Sequence, residues 1–269
     1  MSTLVEPMLL ATSALEKVWG TTETEPWFPR SGRRIGEVWF VAEGEALPIL
    51  VKFIFTSEKL SVQVHPEDSG GRPGKTEMWH VLRAEAGATI GVGLTREVSR
   101  EDLREAALSG EIAELLHWIP VQPGDTVFVP ARTIHAIGAG VALCEIQQQS
   151  DITYRIYDYG RPRELHLEQG LAVANLGTHP GKSVATPLAE GEWRLADCAY
   201  FVTDLLEFAA PRRFAPLGRR CQILIVLEGD GMLGPATYKT GQAWLIPPEA
   251  DEFQIEPATN TRLLRTYVP

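Results

Sequence analysis

The sequence predicts a mainly β protein made of two β-barrels or jelly rolls with a few short helices, the second barrel a degenerate copy of the first. Two observations carry this. Short segments rich in Val, Ile, Phe, Trp and Thr alternate with Gly, Pro and Asp, which is how strands joined by turns read. In addition, residues 124–130 (GDTVFVP) and 241–247 (GQAWLIP) share Gly, a short apolar strand and Pro at identical spacing, and such self-similarity reports a duplicated architecture.

In chain order, the predicted strands include residues 35–44, 49–57, 60–65, 78–85, 126–131, 141–150 and 221–229, each bounded by turn residues. Residues 99–118 carry apolar positions at helical spacing after a Ser99-x-x-Asp102 start that reads as a capping box, and Gly110 splits them into two helices. Residues 163–176 read as the other helix. Upstream of the repeated motif, HVLRAEAGATIGVG (80–93) is matched loosely by IVLEGDGMLG (225–234). The copies part where chemistry would sit: His135 follows Pro130, whereas Glu249 and Asp251 follow Pro247 with no His. The expected division is a catalytic unit over 1–163, then a linker helix and a metal-free second unit over 164–269.

Composition narrows the function. A net charge of −10 argues against nucleic-acid or anionic-membrane partners, which need a positive face. An anionic small molecule remains compatible, provided a few cations are placed locally. No apolar run approaches membrane-spanning length and the first twenty residues lack a basic leader, so an unexported protein is expected. Cys144, Cys198 and Cys221 are too few and too scattered for a disulfide framework, which suits a cytoplasmic, reducing setting. Neither a phosphate-cradling nor a dinucleotide-binding Gly motif occurs, and nothing in the sequence bears on oligomeric state.

The chemistry-bearing residues cluster in the first half. In LSVQVHP, Gln63 and His65 are two apart on a strand and point to one face. Glu77 follows a turn-rich loop, and His135 lies beyond a further strand. Two imidazoles and a carboxylate suit Zn²⁺ or another borderline divalent ion, although satisfied polar core residues would read the same way. GDTVFVPARTIHAIG (124–138) has the G-x5-P-x4-H spacing of the second cupin motif, and QVHP with the later Glu resembles the first, with Gln in place of its first His.

Together with GKTE (74–77) and QQSDITYRIYDYGRPRELH (148–166), these motifs resemble type I mannose-6-phosphate isomerases in their short bacterial form, from about Trp19 to His166. The resemblance implies a zinc-dependent aldose–ketose isomerase acting on a sugar phosphate. It places Gln63, His65, Glu77 and His135 at the zinc, with Gln63 outside the set that the short form usually credits. It also makes Arg155 an active-site arginine, Lys75 the lysine beside the glutamate ligand, and Glu145 a proton-transfer acid.

The residues themselves leave alternatives. Glu145 alternates with Leu143 and Gln147, and a partly desolvated carboxylate there would have a raised pKa suited to proton transfer; pairing with Arg155 or another cation is the competing reading. Lys75 and Arg155 are the expected phosphate cations, Lys75 acting mainly in binding and Arg155 also at the reacting carbons, unless Lys75 is simply solvated and Arg155 stacked among tyrosines. Trp19, Trp27, Trp39 and Trp79 suit core packing better than a sugar wall. His80, His117, His166 and His179 have no comparable partners. An Fe²⁺-dependent cupin dioxygenase and a non-catalytic sugar-binding cupin are the competing functions.

Overall fold

The computed structural model describes residues 6–44, 46–215, 217–218 and 220–269. Among them the chain forms four antiparallel sheets and three short helices. The expected β architecture is therefore present, and its layers explain why particular strands are apolar throughout.

A six-stranded sheet runs in the order Ala11–Thr21, Ile35–Val41, Ile49–Phe55, Val141–Gln148, Glu77–Ala84, Thr126–Val129. It packs on a five-stranded sheet ordered Tyr154–Tyr157, Val62–Val64, His135–Ile137, Thr89–Leu94, Leu116–Pro120. Ile54, Trp79, Val81, Ile90, Val92, Val127 and Leu143 fill the space between them. The other face of the six-stranded sheet, with Phe40, Val51, Phe53, Phe55, Cys144 and Ile146, packs on Leu205, Ile223, Ile225, Leu245 and Leu264 of a seven-stranded sheet. A four-stranded sheet closes the far side over Leu224, Trp244, Leu263, Tyr238 and Ile255. Strands Ile49–Phe55 and Val141–Gln148 are thus buried on both faces, which is why every one of their residues is buried.

The helices cover the outer face of the five-stranded sheet, packing Leu103, Ala106, Ile112 and Leu171 against Val62, Val64, Leu94, Ile134 and Ile156. Ser99 and Asp102 form the predicted capping box of Arg100–Ser109, and Gly110 ends that helix with φ 91°. Ile112–Leu115 follows, but residues 116–118 are strand rather than helix, because Leu116–Pro120 pairs with Thr89–Leu94. The helix predicted over residues 163–176 contracts to Leu167–Val173.

The sequence repeat is a structural repeat. Gly124 (φ 90°) donates its N–H to Val81 O, and Gly241 (φ 86°) donates its N–H to Val226 O. Val81 in turn donates to Asp125 O as Val226 donates to Gln242 O. Glycine is needed at both places because a left-handed backbone starts each returning strand. One strand crosses the expected division: Met8–Leu9 pairs with Ala243–Ile246, so the N-terminal end completes the seven-stranded sheet. Among the described residues, no helix is long and apolar enough to cross a membrane.

Candidate metal centre

Two register rows build the site. On the five-stranded sheet, Arg155, Gln63 and His135 stand side by side across three strands. On the facing sheet, Trp39, Lys52, Glu145 and Trp79 form one row, and Gln147 lies opposite Glu77 in the next. Period-two alternation sends these polar side chains inward while their neighbours enter the apolar layers.

His65, Glu77 and His135 converge, with ligand atoms within 4.8 Å of one another, and all three are buried. His65 Nε2 lies 3.6 Å from Glu77 Oε2, and His135 Nε2 lies 3.3 Å from Glu77 Oε1. Each imidazole donates its Nδ1–H to a backbone carbonyl, His65 to Ile152 O at 2.8 Å and His135 to Thr133 O at 2.8 Å. That bond fixes the tautomer and leaves the Nε2 lone pair facing the carboxylate, the arrangement metal-ligating histidines adopt. Both Glu77 oxygens are buried without a hydrogen bond. Two oriented lone pairs and a carboxylate without a hydrogen bond, its Oε2 in ion-pair contact with Lys75 Nζ at 3.1 Å, fit a divalent cation. Burial holds His65 well below its ordinary 6.5 and His135 at about 4, so both stay neutral. Burial and nearby Glu145 push Glu77 up to about 7, against the pull of Lys75.

Gln63 reaches the triad with its amide nitrogen, 3.2 Å from His135 Nε2, while its oxygen faces Ser61 Oγ at 3.4 Å. Ligation through oxygen therefore requires a half-turn of this amide.

Lys75 is not a solvated lysine. It is buried, with Nζ 3.2 Å from His65 Nε2 and 3.1 Å from Glu77 Oε2. Glu145 corrects a second expectation. Burial alone would raise its pKa, but Lys52, 2.9 Å away, and Lys75 outweigh burial and hold it down at about 2. Its other oxygen accepts from Trp79 Nε1 at 2.8 Å. Its cation partner is thus Lys52 rather than Arg155.

Arg155 donates Nη1–H to Glu164 O at 2.8 Å, and its buried Nε has no partner. It lines a cavity of about 240 Å³ with Lys17, Glu37, Lys52, Gln147 and Arg163, and with Gln63 and Lys75 of the triad's surroundings. Lys17, Glu37, Lys52 and Arg163 are among the cavity residues that the sequence did not single out, while Gln147, placed on the face of Glu145 by alternation, was given no role. Lys52 had a usable signal, being the lone charge within the apolar strand ILVKFIF. Of the tryptophans in the matched half, Trp19 and Trp39 line the cavity, Trp79 is core and Trp27 packs against Phe53 and Phe55.

Fold and site together define a cupin-like β protein with a candidate metal centre in its first pair of sheets. Over 236 residues the chain is 35% identical to mannose-6-phosphate isomerase ManA of Bacillus subtilis (strain 168), covering 80% of this chain and 73% of that protein. A mannose-6-phosphate isomerase of Streptococcus mutans serotype c is 42% identical over 147 residues, 51% of this chain and 46% of that protein. The crystal structure of mannose 6-phosphate isomerase from Bacillus subtilis superposes with a TM-score of 0.86 at 27% identity, covering 97% of this chain and 99% of that one. No protein-family model matches the chain. The chain belongs to the mannose-6-phosphate isomerase family.

Proposed function

We propose that this protein interconverts mannose 6-phosphate and fructose 6-phosphate using one zinc ion per chain, by moving a proton between C2 and C1 of the open-chain sugar through an enediol. The observation that carries the reading is the buried His65–Glu77–His135 set, in contact with Gln63 and Lys75 of the wall of a cavity that Lys17, Lys52, Arg155 and Arg163 also line in an acidic chain. Zinc held by His65, Glu77 and His135, with Gln63 as a fourth ligand after its amide turns, would polarise the substrate carbonyl without changing oxidation state. Residues 1–163 would supply this chemistry. Residues 164–269 would be metal-free, since His135 has no histidine counterpart there. Three free cysteines suit a cytoplasmic setting.

Burial suggests a division of labour opposite to the one expected from sequence. Lys75, enclosed beside the triad, belongs at the reacting carbons. Arg155, more exposed and near Arg163, suits the phosphate, which a guanidinium can grip with two parallel bonds. Glu145 remains the candidate proton carrier. With both lysines charged it is a weak base, but negative charge building on the sugar oxygens beside Lys52 and Lys75 would offset their pull and raise its proton affinity.

Arg155→Ala tests the phosphate assignment. Losing a charge-assisted contact should cost about 10- to 150-fold in kcat/KM for mannose 6-phosphate, mostly through KM, and leave turnover of unphosphorylated mannose unchanged. Equal losses on both sugars would remove Arg155 from the phosphate.

A further inference from the structure

We propose that Gln147 binds a non-reacting hydroxyl of the sugar through its amide oxygen, and so helps to select the substrate. Gln147 lies two residues after Glu145 on strand Val141–Gln148, so both face the cavity, and it stands opposite Glu77 in the register. It is fully buried. Its NH₂ group donates to Gln148 O at 3.1 Å and to Ser150 O. Turning the amide over would press its oxygen against these two carbonyl oxygens, so the orientation is fixed. Oε1 is left as a buried acceptor with no partner in the protein.

A buried amide oxygen without a partner is costly, and native structures rarely keep one that nothing satisfies. An acceptor that cannot turn requires a donor. A phosphate dianion and a carbonyl are acceptors, so neither answers; a neutral hydroxyl does. The inference rests on the isomerase reading, whose open-chain sugar carries hydroxyls on C3, C4 and C5 that take no part in proton transfer. A site built to pair a substrate hydroxyl discriminates strongly against analogues that lack it, because its own polar group is then stranded.

The test uses mannitol 6-phosphate, which lacks the carbonyl and cannot react, and its 3-, 4- and 5-deoxy analogues. Their inhibition constants are measured with the zinc-loaded wild type and Gln147→Met. The parent alcohol should bind Gln147→Met about 10-fold more weakly, and one deoxy analogue should bind both proteins equally. The variant should keep its zinc. The inference is overturned if the loss is the same for every analogue, which is the behaviour of a structural residue, or if the variant loses zinc. It is also overturned, with no variant needed, if every deoxy analogue binds wild type as tightly as the parent. A wild type that fails to isomerise mannose 6-phosphate would instead sink the isomerase reading; active wild type with a flat analogue series sinks the Gln147 role alone.

Discussion

At the scale of single residues, the site is governed by which charges have partners. Lys52, Lys75, Glu77 and Glu145 interlock within 3.7 Å of one another in sequence of contact, two cations against two carboxylates. In this network Glu145 is held ionised, and replacing it with Gln removes both the proton carrier and the counter-charge of Lys52. Glu145→Gln should therefore keep zinc and fold while lowering kcat by at least roughly 100-fold, the size expected for a positioned acid or base. Rate, zinc content and circular dichroism on one preparation check it, and unchanged turnover would move proton transfer to another group. His65, Glu77 and His135 were legible because their types and spacing report metal chemistry. The pairing of Lys52 with Glu145 was not, since it arises from strands brought together across 93 residues of chain, and the fixed amide of Gln147 was not, since Ser150 O, which helps hold it, lies in the loop after the strand.

At the scale of elements, alternation explains what could be read and what could not. Strands bounded by Gly and Pro stood out, and so did the capping box of Arg100–Ser109. Leu116–Pro120 did not, because its apolar residues continue the helical spacing of the preceding segment and only pairing with Thr89–Leu94 makes it a strand. Strand Glu77–Ala84 carries the candidate ligand Glu77 on one face and His80 on the other. His80 is buried, with Nδ1 3.0 Å from Thr126 Oγ1, and burial, with Arg262 adding to it, holds its pKa at about 4 rather than 6.5. The unfolded chain takes up a proton below 6.5 that the folded chain refuses until about 4, so this stability is full above 6.5 and falls as pH drops. Between pH 7 and 4.5, wild type should lose about 2 kcal/mol more than His80→Gln. Denaturant titrations of both proteins at the two pH values measure this, and parallel losses would acquit His80.

At the scale of the whole molecule, the two copies of the repeat share a core. Phe40, Val51, Phe53 and Phe55 from the first half meet Ile223, Ile225, Leu245 and Leu264 from the second, and Met8–Leu9 pairs into the second half's sheet. The Gly-strand-Pro repeat was enough to predict duplication, but it could not name the sheet that covers residues 49–55. A fragment ending at residue 163 would expose that aromatic face to water. It should therefore fail to melt cooperatively, by calorimetry, even with zinc present; a cooperative transition would show the halves to be independent units.

The central claim, that the His65–Glu77–His135 centre drives sugar-phosphate isomerisation, is tested most directly by assaying fructose 6-phosphate formation from mannose 6-phosphate before and after metal exchange. Chelator-treated protein should be inactive, and about one equivalent of zinc per chain should restore turnover, with His135→Ala refusing both metal and rescue. Full turnover by the metal-stripped protein, or a zinc-loaded protein that leaves mannose 6-phosphate untouched while its iron form consumes oxygen, would contradict it.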